Sequence, residues 1–572
     1  MTLFCLAGGI LNPDTSLYLL SGLKYAGMDY FNVVDPVDLY FTPIISFLSS
    51  LFFRLGMVSH SAIIIVTSVF AFFAYIGLYI LLKNRFNPLL SLTGVFIYGS
   101  FSLVLFNMCK GLIDIPAMSI SIWILIFAIM AVDKNPKYYL IALPLFVVGF
   151  FVKYTVGFML PIIVLYYVMD KDIVSLFDSL IHERSFFYQT AKDYIKSSEF
   201  RYILASILIS AVLFAVICKT LILDCGGTLS FLGQSANTFN GFHFHQQANH
   251  YDPSKSAYLK VLPKILFQQR EGEMFILANT LIGIIIIGFL IKLISLIKNR
   301  TCMKNLIEKR QSFKTRYLEI LVACGFVISL AGMLYYFKIS NHMYANIFAL
   351  IAIVLAYSLA EKLNFKNKNV TWFLLFLGYF TVNFIFCSIY EIKVFRYCLI
   401  FIPPFIYFII WGLESIMDVI SNGIDSHETF KSKLTDPNYS INLSKISKIL
   451  PVIIIVVYFT SAAVYFAPME MNSDNAFYPD VIKQGFVSDL EDACEFIKNN
   501  DSDYHNKTFA AFSHHERTVR WYLNCNVTQM NGHDPNLKNF DNATYLIIGS
   551  NRTFNNYHFI KNVGDFNIYI HN

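Results

Sequence analysis

Apolar runs broken by short polar connectors occupy most of this chain. The runs at 61–82, 89–107, 115–132, 138–151, 155–169, 201–223, 274–297, 319–338, 344–361, 371–389, 397–413 and 449–466 are predicted to cross a bilayer, whose hydrocarbon core takes about 20 apolar residues of helix. Met1–Leu11 is apolar but much shorter and has no basic leader, so it reads as the second half of a first membrane helix, for about 12–13 transmembrane helices in all. Residues 16–56 follow another pattern. Leu17–Tyr25 has helical spacing, Asp29, Asp35 and Asp38 follow, and Phe41–Leu55 is apolar, which predicts a loop with one or two helices lying along the interface. Beyond 466, short apolar runs at 508–512 and 545–548 alternate with helical patterns at 490–497 and 518–523, the signature of a small α/β domain. The expected organisation is a polytopic α-helical membrane module over 1–466, with outer loops at 12–60, 108–114 and 224–273, followed by a soluble domain over 467–572.

Composition agrees with a lipid environment. Hydrophobic residues make up 56% of the chain and charged ones 14%, where a soluble domain carries about 25% charged. The net charge of +6 does not indicate nucleic acid, because the excess Lys and Arg sit in connectors between apolar runs. Those connectors set an orientation: 83–88, 133–137, 170–200, 298–318, 362–370 and 414–448 carry the basic residues and face inside, whereas 339–343 carries none. Asp14, Asp114, Lys153, His243, Arg270, Lys393, Arg396 and the tail domain are then expected outside, in a multi-pass protein of the cell membrane. Cysteines are scattered without metal-type spacing, and Cys494 and Cys525 share the tail, where an oxidising compartment would let them form a disulfide.

Three polar interruptions at the same expected face are the candidates for chemistry. They are Leu11–Tyr18, Lys110–Pro116 and Val152–Thr155. Pro13 and Pro116 place Asp14 and Asp114 in first helical turns, a position carboxylates favour without any catalytic role. Yet two carboxylates and a lysine on separate turns at one edge of a hydrocarbon layer need partners, water or an anion such as phosphate. His243, His245 and His250 lie in the long outer loop; the H-x-H spacing permits a metal, with Asp252 as the nearby carboxylate.

The order of these residues resembles a known family. A Pro-Asp loop (Pro13, Asp14), the stretch Tyr40, Phe41, Pro43, Leu48, an Asp-x-Pro (Asp114, Pro116), a Phe-x-Lys-Tyr-Thr turn (Phe151, Lys153, Tyr154, Thr155) and Arg396, Tyr397, Pro403 are similar in layout to membrane glycosyltransferases of GT-C fold, of the protein O-mannosyltransferase and aminoarabinose-transferase-like group. The resemblance implies transfer of a sugar from a polyprenyl (dolichyl) phosphate to an acceptor protein, lipid or glycan at the outer face, with inversion. It makes Asp14 the catalytic base with Asp114 as orienting partner, and Lys153, Arg396 and Arg270 the donor-phosphate ligands. It also implies a divalent metal in some members, for which Asp38 and His243 are the candidate ligands here. Thr15 stands where the family often has a second acid. Two other readings compete: a transporter or flippase of a lipid-linked or polar solute, and a non-catalytic relative. The charges lie at helix ends on one face and not at helix midpoints, which favours surface chemistry over passage.

Overall fold

The computed structural model describes residues 13–28, 42–171, 192–227, 229, 233, 254–260, 262, 273–298, 313–362, 368–390, 393–425, 443–466, 486–512, 515–530, 543–549, 554 and 556–572. The helices of the first part are α1 (Pro13–Ala26), α2 (Ile44–Arg54), α3 (Ser61–Lys83), α4 (Pro88–Ser100), α5 (Ser102–Cys109), α6 (Asp114–Asp133), α7 (Tyr139–Val152), α8 (Met159–Asp170), α9 (Ser198–Ile217), α10 (Glu273–Lys298), α11 (Phe313–Lys338), α12 (His342–Lys362), α13 (Lys368–Ile389), α14 (Ile402–Asp425) and α15 (Leu443–Phe466). Among the described residues, 8 helices are long and apolar enough to cross a membrane, and shorter apolar helices pack beside them.

Local geometry at three places shapes the ends of the apolar helices. The run 89–107 breaks between α4 and α5, where Phe101 is extended (φ −69°, ψ 119°). Lys153 is likewise extended (φ −159°, ψ 127°) between α7 and a 3₁₀ turn over Tyr154–Phe158 that leads into α8. The end of the span after α9 is a π-helical stretch, Cys218–Leu223. The break at Lys153 sets a charged side chain at the helix end instead of within an apolar face.

The helices differ in what surrounds them. Protein encloses 78% of the apolar window of α6 and 89% of that of Arg396–Ile420, against 11% for Ile320–Lys338. The first two are the packed centre; the last presents Val327 and Ile328 outward, as a lipid-facing helix does. The contact of α10 with α14 relies on small residues: a Cβ on Gly288 would lie 2.4 Å from the Cα of Gly412, so only glycines let these helices meet this closely.

The tail comprises α16 (Phe486–Asn500), β1 (Phe509–Phe512), α17 (His515–Leu523), β2 (Val527–Met530), β3 (Tyr545–Ile548), β4 (Tyr557–Val563) and β5 (Phe566–His571). Its sheet has the order β2-β1-β3-β5-β4. β1 runs parallel to both neighbours, pairing Phe509 with Val527 and with Tyr545, and β5 is antiparallel to β3 and β4. One face buries Leu490, Ile497, Val519 and Leu523 of the two helices against Phe509 and Ile547. Cys494 and Cys525 lie in that core as free buried thiols, so the disulfide expected of them is not formed. They act there as small apolar side chains, and burial pushes the Cys525 thiol up to about 11.

The tail rests on the start of the membrane module. Ser16 of α1 and Thr518 of α17 share a hydrogen bond of 2.9 Å, both side chains being buried. Trp521 packs against Phe53 of α2, with ring centroids 6.0 Å apart. The predicted interfacial segment is therefore clamped between the tail and the helix bundle: α2 turns Ile45, Ser49 and Phe53 inward.

Candidate active site

Each side chain of the site is delivered by a helix end. Pro13, whose fixed φ suits a first helical position, opens α1 and leaves Asp14 in the first turn, where the helix dipole favours a negative charge. The next residue, Thr15, donates its Oγ1 hydrogen to the carbonyl of Lys110, tying this turn to the one before α6. Gly111 in that turn has φ +66°, and a Cβ there would lie 2.9 Å from Ile63 and 3.1 Å from Thr15, so conformation and space both require glycine. Asp114 follows as the first residue of α6. Lys153 enters from the break after α7, whose last carbonyl, at Val152, accepts a 2.6 Å hydrogen bond from Thr42. Arg396 comes from the 3₁₀ turn Phe395–Phe401 ahead of α14.

The four charges form two pairs. Lys153 Nζ donates to Asp114 Oδ1. Arg396 donates to Asp14 Oδ2 at 2.7 Å. The Asp114–Lys153 pair is enclosed, with side-chain exposures of 4% and 11%, whereas Asp14 and Arg396 are 28% and 16% exposed. Tyr397 joins the pairs: its ring lies 4.8 Å from the Lys153 ammonium and 5.9 Å from the Arg396 guanidinium, within cation–π range.

Between and beside them lies a narrow cleft. Asp114, Lys153, Tyr154, Thr155, Arg396 and Tyr397 line one part of it, and Asn383, Phe386, Cys387 and Tyr390 of the α13 end line another. A lining with two cations, one carboxylate and an apolar remainder, with Asp14 behind Arg396, suits a ligand with an anionic head and an apolar tail.

The structure thus gathers Asp14, Asp114, Lys153 and Arg396 at one place, although 382 residues separate Arg396 from Asp14. Lys393, also expected on this face, serves the backbone instead. Its Nζ donates to the carbonyls of Ser388 and Tyr390 at 3.1 and 2.8 Å and so caps the end of α13. Arg270, Asp38 and His243 lie outside the described residues. Asn383, Cys387 and Tyr390 do not stand out in the sequence, where they sit in an apolar helix; their one signal is a spacing that repeats on one helical face.

The described residues do not supply a metal site. No three His, Cys, Asp or Glu side chains among them come together in a ligating group. The two cleft carboxylates already face cations, which is the opposite of the electrostatics a divalent ion needs.

Comparison with known proteins bears on part of this chain. The model of the dolichyl-phosphate-mannose-protein mannosyltransferase family matches residues 41–183, the segment that includes Asp114, Pro116, Phe151 and Lys153, and it agrees with the resemblance drawn from those motifs. No curated protein matches. Two crystal structures of ArnT from Cupriavidus metallidurans, one bound to undecaprenyl phosphate and one in the apo state, align with TM-scores of 0.47 at 11% and 10% identity, over 98% of this chain and 94% of theirs. At that distance the alignment assigns no residue a role.

Proposed function

We propose that the chain is an inverting glycosyltransferase that moves a sugar from a polyprenyl phosphate to an acceptor hydroxyl at the outer membrane face. The observation that carries the reading is the convergence of two carboxylate–cation pairs on one cleft at the helix ends. One pair is accessible and one enclosed, which leaves Asp14 within reach of an acceptor while Lys153 and Arg396 face the phosphate.

In the reaction the acceptor oxygen bonds to the anomeric carbon as the bond from that carbon to the phosphate oxygen breaks. The bonding pair leaves with the phosphate, which changes from a singly charged diester to a monoester with greater negative charge. Lys153 and Arg396 stabilise this developing charge; cations already fixed in place, in surroundings of low dielectric, do so without reorganising. A guanidinium has five N–H donors, so Arg396 can hold Asp14 and a phosphate oxygen together. Asp14 takes the acceptor's proton and is the carboxylate that water and an acceptor can reach. Asp114 holds Lys153 in place. A phosphate leaving group needs no general acid, so a single base is enough for direct displacement with inversion. The tail domain, resting on α1 beside Asp14, bounds the side from which the acceptor enters.

Membranes carrying the chain, supplied with radiolabelled polyprenyl-phosphate sugars, are expected to transfer label to endogenous acceptors. Asp14→Asn is expected to stop transfer while membrane insertion continues, and a parallel assay with a chelator reads whether a metal takes part. Undiminished transfer by Asp14→Asn removes the base assignment. Absence of transfer from every donor tried, by a chain shown to be inserted and folded, removes the transferase reading.

A further inference from the structure

The α13 wall of the cleft carries a polar group that the mechanism does not use. Asn383, Phe386, Cys387 and Tyr390 follow one another at the i, i+3, i+4, i+7 spacing of a single helical face, and all four line the cleft. Asn383 is fully buried. Its Nδ2 donates to the carbonyl of Tyr379, one turn back, at 2.9 Å, and this bond identifies which end of the amide is nitrogen. The other end, Oδ1, is buried and has no hydrogen-bond partner among the described residues.

A carbonyl oxygen buried without a donor has lost its water and gained nothing in exchange. A ligand that brings a donor to it recovers that loss. The cations across the cleft, Lys153 and Arg396, present donors only and suit the phosphate. A phosphate diester carries no O–H and cannot satisfy Oδ1. The sugar it carries can.

On the reading that the cleft binds a polyprenyl-phosphate sugar, we propose that Asn383 is a specificity-determining residue for the sugar of the donor. Its Oδ1 accepts a hydrogen bond from one sugar hydroxyl, and the site selects donors that bear this hydroxyl. Discrimination of this kind is strong, because an analogue lacking the hydroxyl leaves the buried acceptor unpaired.

The test uses the full-length chain in membranes or detergent. From a panel of undecaprenyl- and dolichyl-phosphate hexoses and pentoses the accepted donor is identified, and its monodeoxy forms are assayed with the unsubstituted chain and with Asn383→Leu, which has similar volume and no acceptor. One monodeoxy donor is expected to be poorer than the parent by about 10- to 100-fold in kcat/KM with the unsubstituted chain. Asn383→Leu is expected to lose the same factor on the parent donor and nothing on that monodeoxy donor, and to bind sugar-free undecaprenyl phosphate as the unsubstituted chain does. An equal loss on parent and monodeoxy donors, or weakened binding of undecaprenyl phosphate, would assign Asn383 to packing and overturn the inference. Undecaprenyl phosphate binding without transfer from any donor overturns the transferase reading, and the inference with it, by a result distinct from either.

Discussion

Asp14–Arg396 and Asp114–Lys153 are chemically alike, a carboxylate against a cation at the edge of one cleft, and they differ in their access to water. The first reaches solvent; the second is closed in by the most enclosed helices of the bundle. A buried carboxylate that has lost its water depends on its partner for stability, whereas an exposed one remains available to a changing third group. Equal residue types in equal pairs thus differ in what they can do: on the proposed reading, Asp14 of the open pair takes the proton and Asp114 of the closed pair holds Lys153.

The sharpest way to break this comparison is to neutralise each carboxylate in turn. Asp14→Asn is expected to lower kcat by about 10³-fold, the scale of a lost general base, with little change in thermal unfolding measured in detergent. Asp114→Leu is expected to act the other way, destabilising the protein by about 3–5 kcal/mol because Lys153 stays buried without its carboxylate. Adding Lys153→Met to Asp114→Leu should return most of that stability and none of the activity, since the phosphate would still lack its ammonium. If instead Asp14→Asn unfolds the protein and Asp114→Leu only slows it, the two roles are exchanged.

A third ion pair supplies an aqueous reference. In the tail, Asp501 accepts hydrogen bonds from Lys507 at 2.6 Å, from Tyr545 at 2.7 Å and from the Asp503 amide at 3.1 Å. Burial works against its charge, but these bonds prevail and hold its carboxyl below the usual carboxylate range. A carboxyl depressed in the folded state adds stability that is full above its unfolded pKa and is lost as pH falls through the folded one. The tail's unfolding temperature should accordingly drop on acidification below the usual carboxylate range, and Asp501→Asn should flatten that drop at a cost of about 2 kcal/mol near neutral pH. An unchanged acid profile in Asp501→Asn would place the sensitivity elsewhere.

Much of this arrangement was legible in the chain, and for identifiable reasons. Pro13 and Pro116 mark helix starts, which placed Asp14 and Asp114 in first turns, and Lys153 between apolar segments announced a need for an anion. The tail's strands at 509–512 and 545–548 showed as short apolar runs between helical patterns. The pairing was not legible: Asp114 and Lys153 are 39 residues apart, and which carboxylate meets which cation depends on how α6, α7 and the turn before α14 pack. The break at Phe101 had only a weak signal, Gly99-Ser100 just before it, inside a run that otherwise reads as continuously apolar. Asn383 was hidden for a related reason. A lone amide in an apolar helix looks like any satisfied core residue until its carbonyl is seen to lack a donor.

The smallest expected effect concerns the joint between the two parts of the chain. Ser16 lies two residues beyond Asp14, and its hydroxyl meets that of Thr518 at 2.9 Å where both are fully buried. A neutral hydrogen bond of this kind contributes about 1 kcal/mol, a small share of the stability of the whole chain. Thr518→Val has the same shape and removes the hydroxyl, leaving that of Ser16 in apolar surroundings; it should cost about 1–2 kcal/mol of docking, read as faster amide exchange in α17 and in the first turns of α1. Because α1 positions Asp14, the same substitution should lower kcat more than it raises KM for the lipid donor, whose phosphate is held from other helices. Faster exchange in α17 with unchanged kcat would make the tail a passive cover. A fall in kcat that accompanies looser exchange in α1 would make the tail domain part of what fixes the open pair in place.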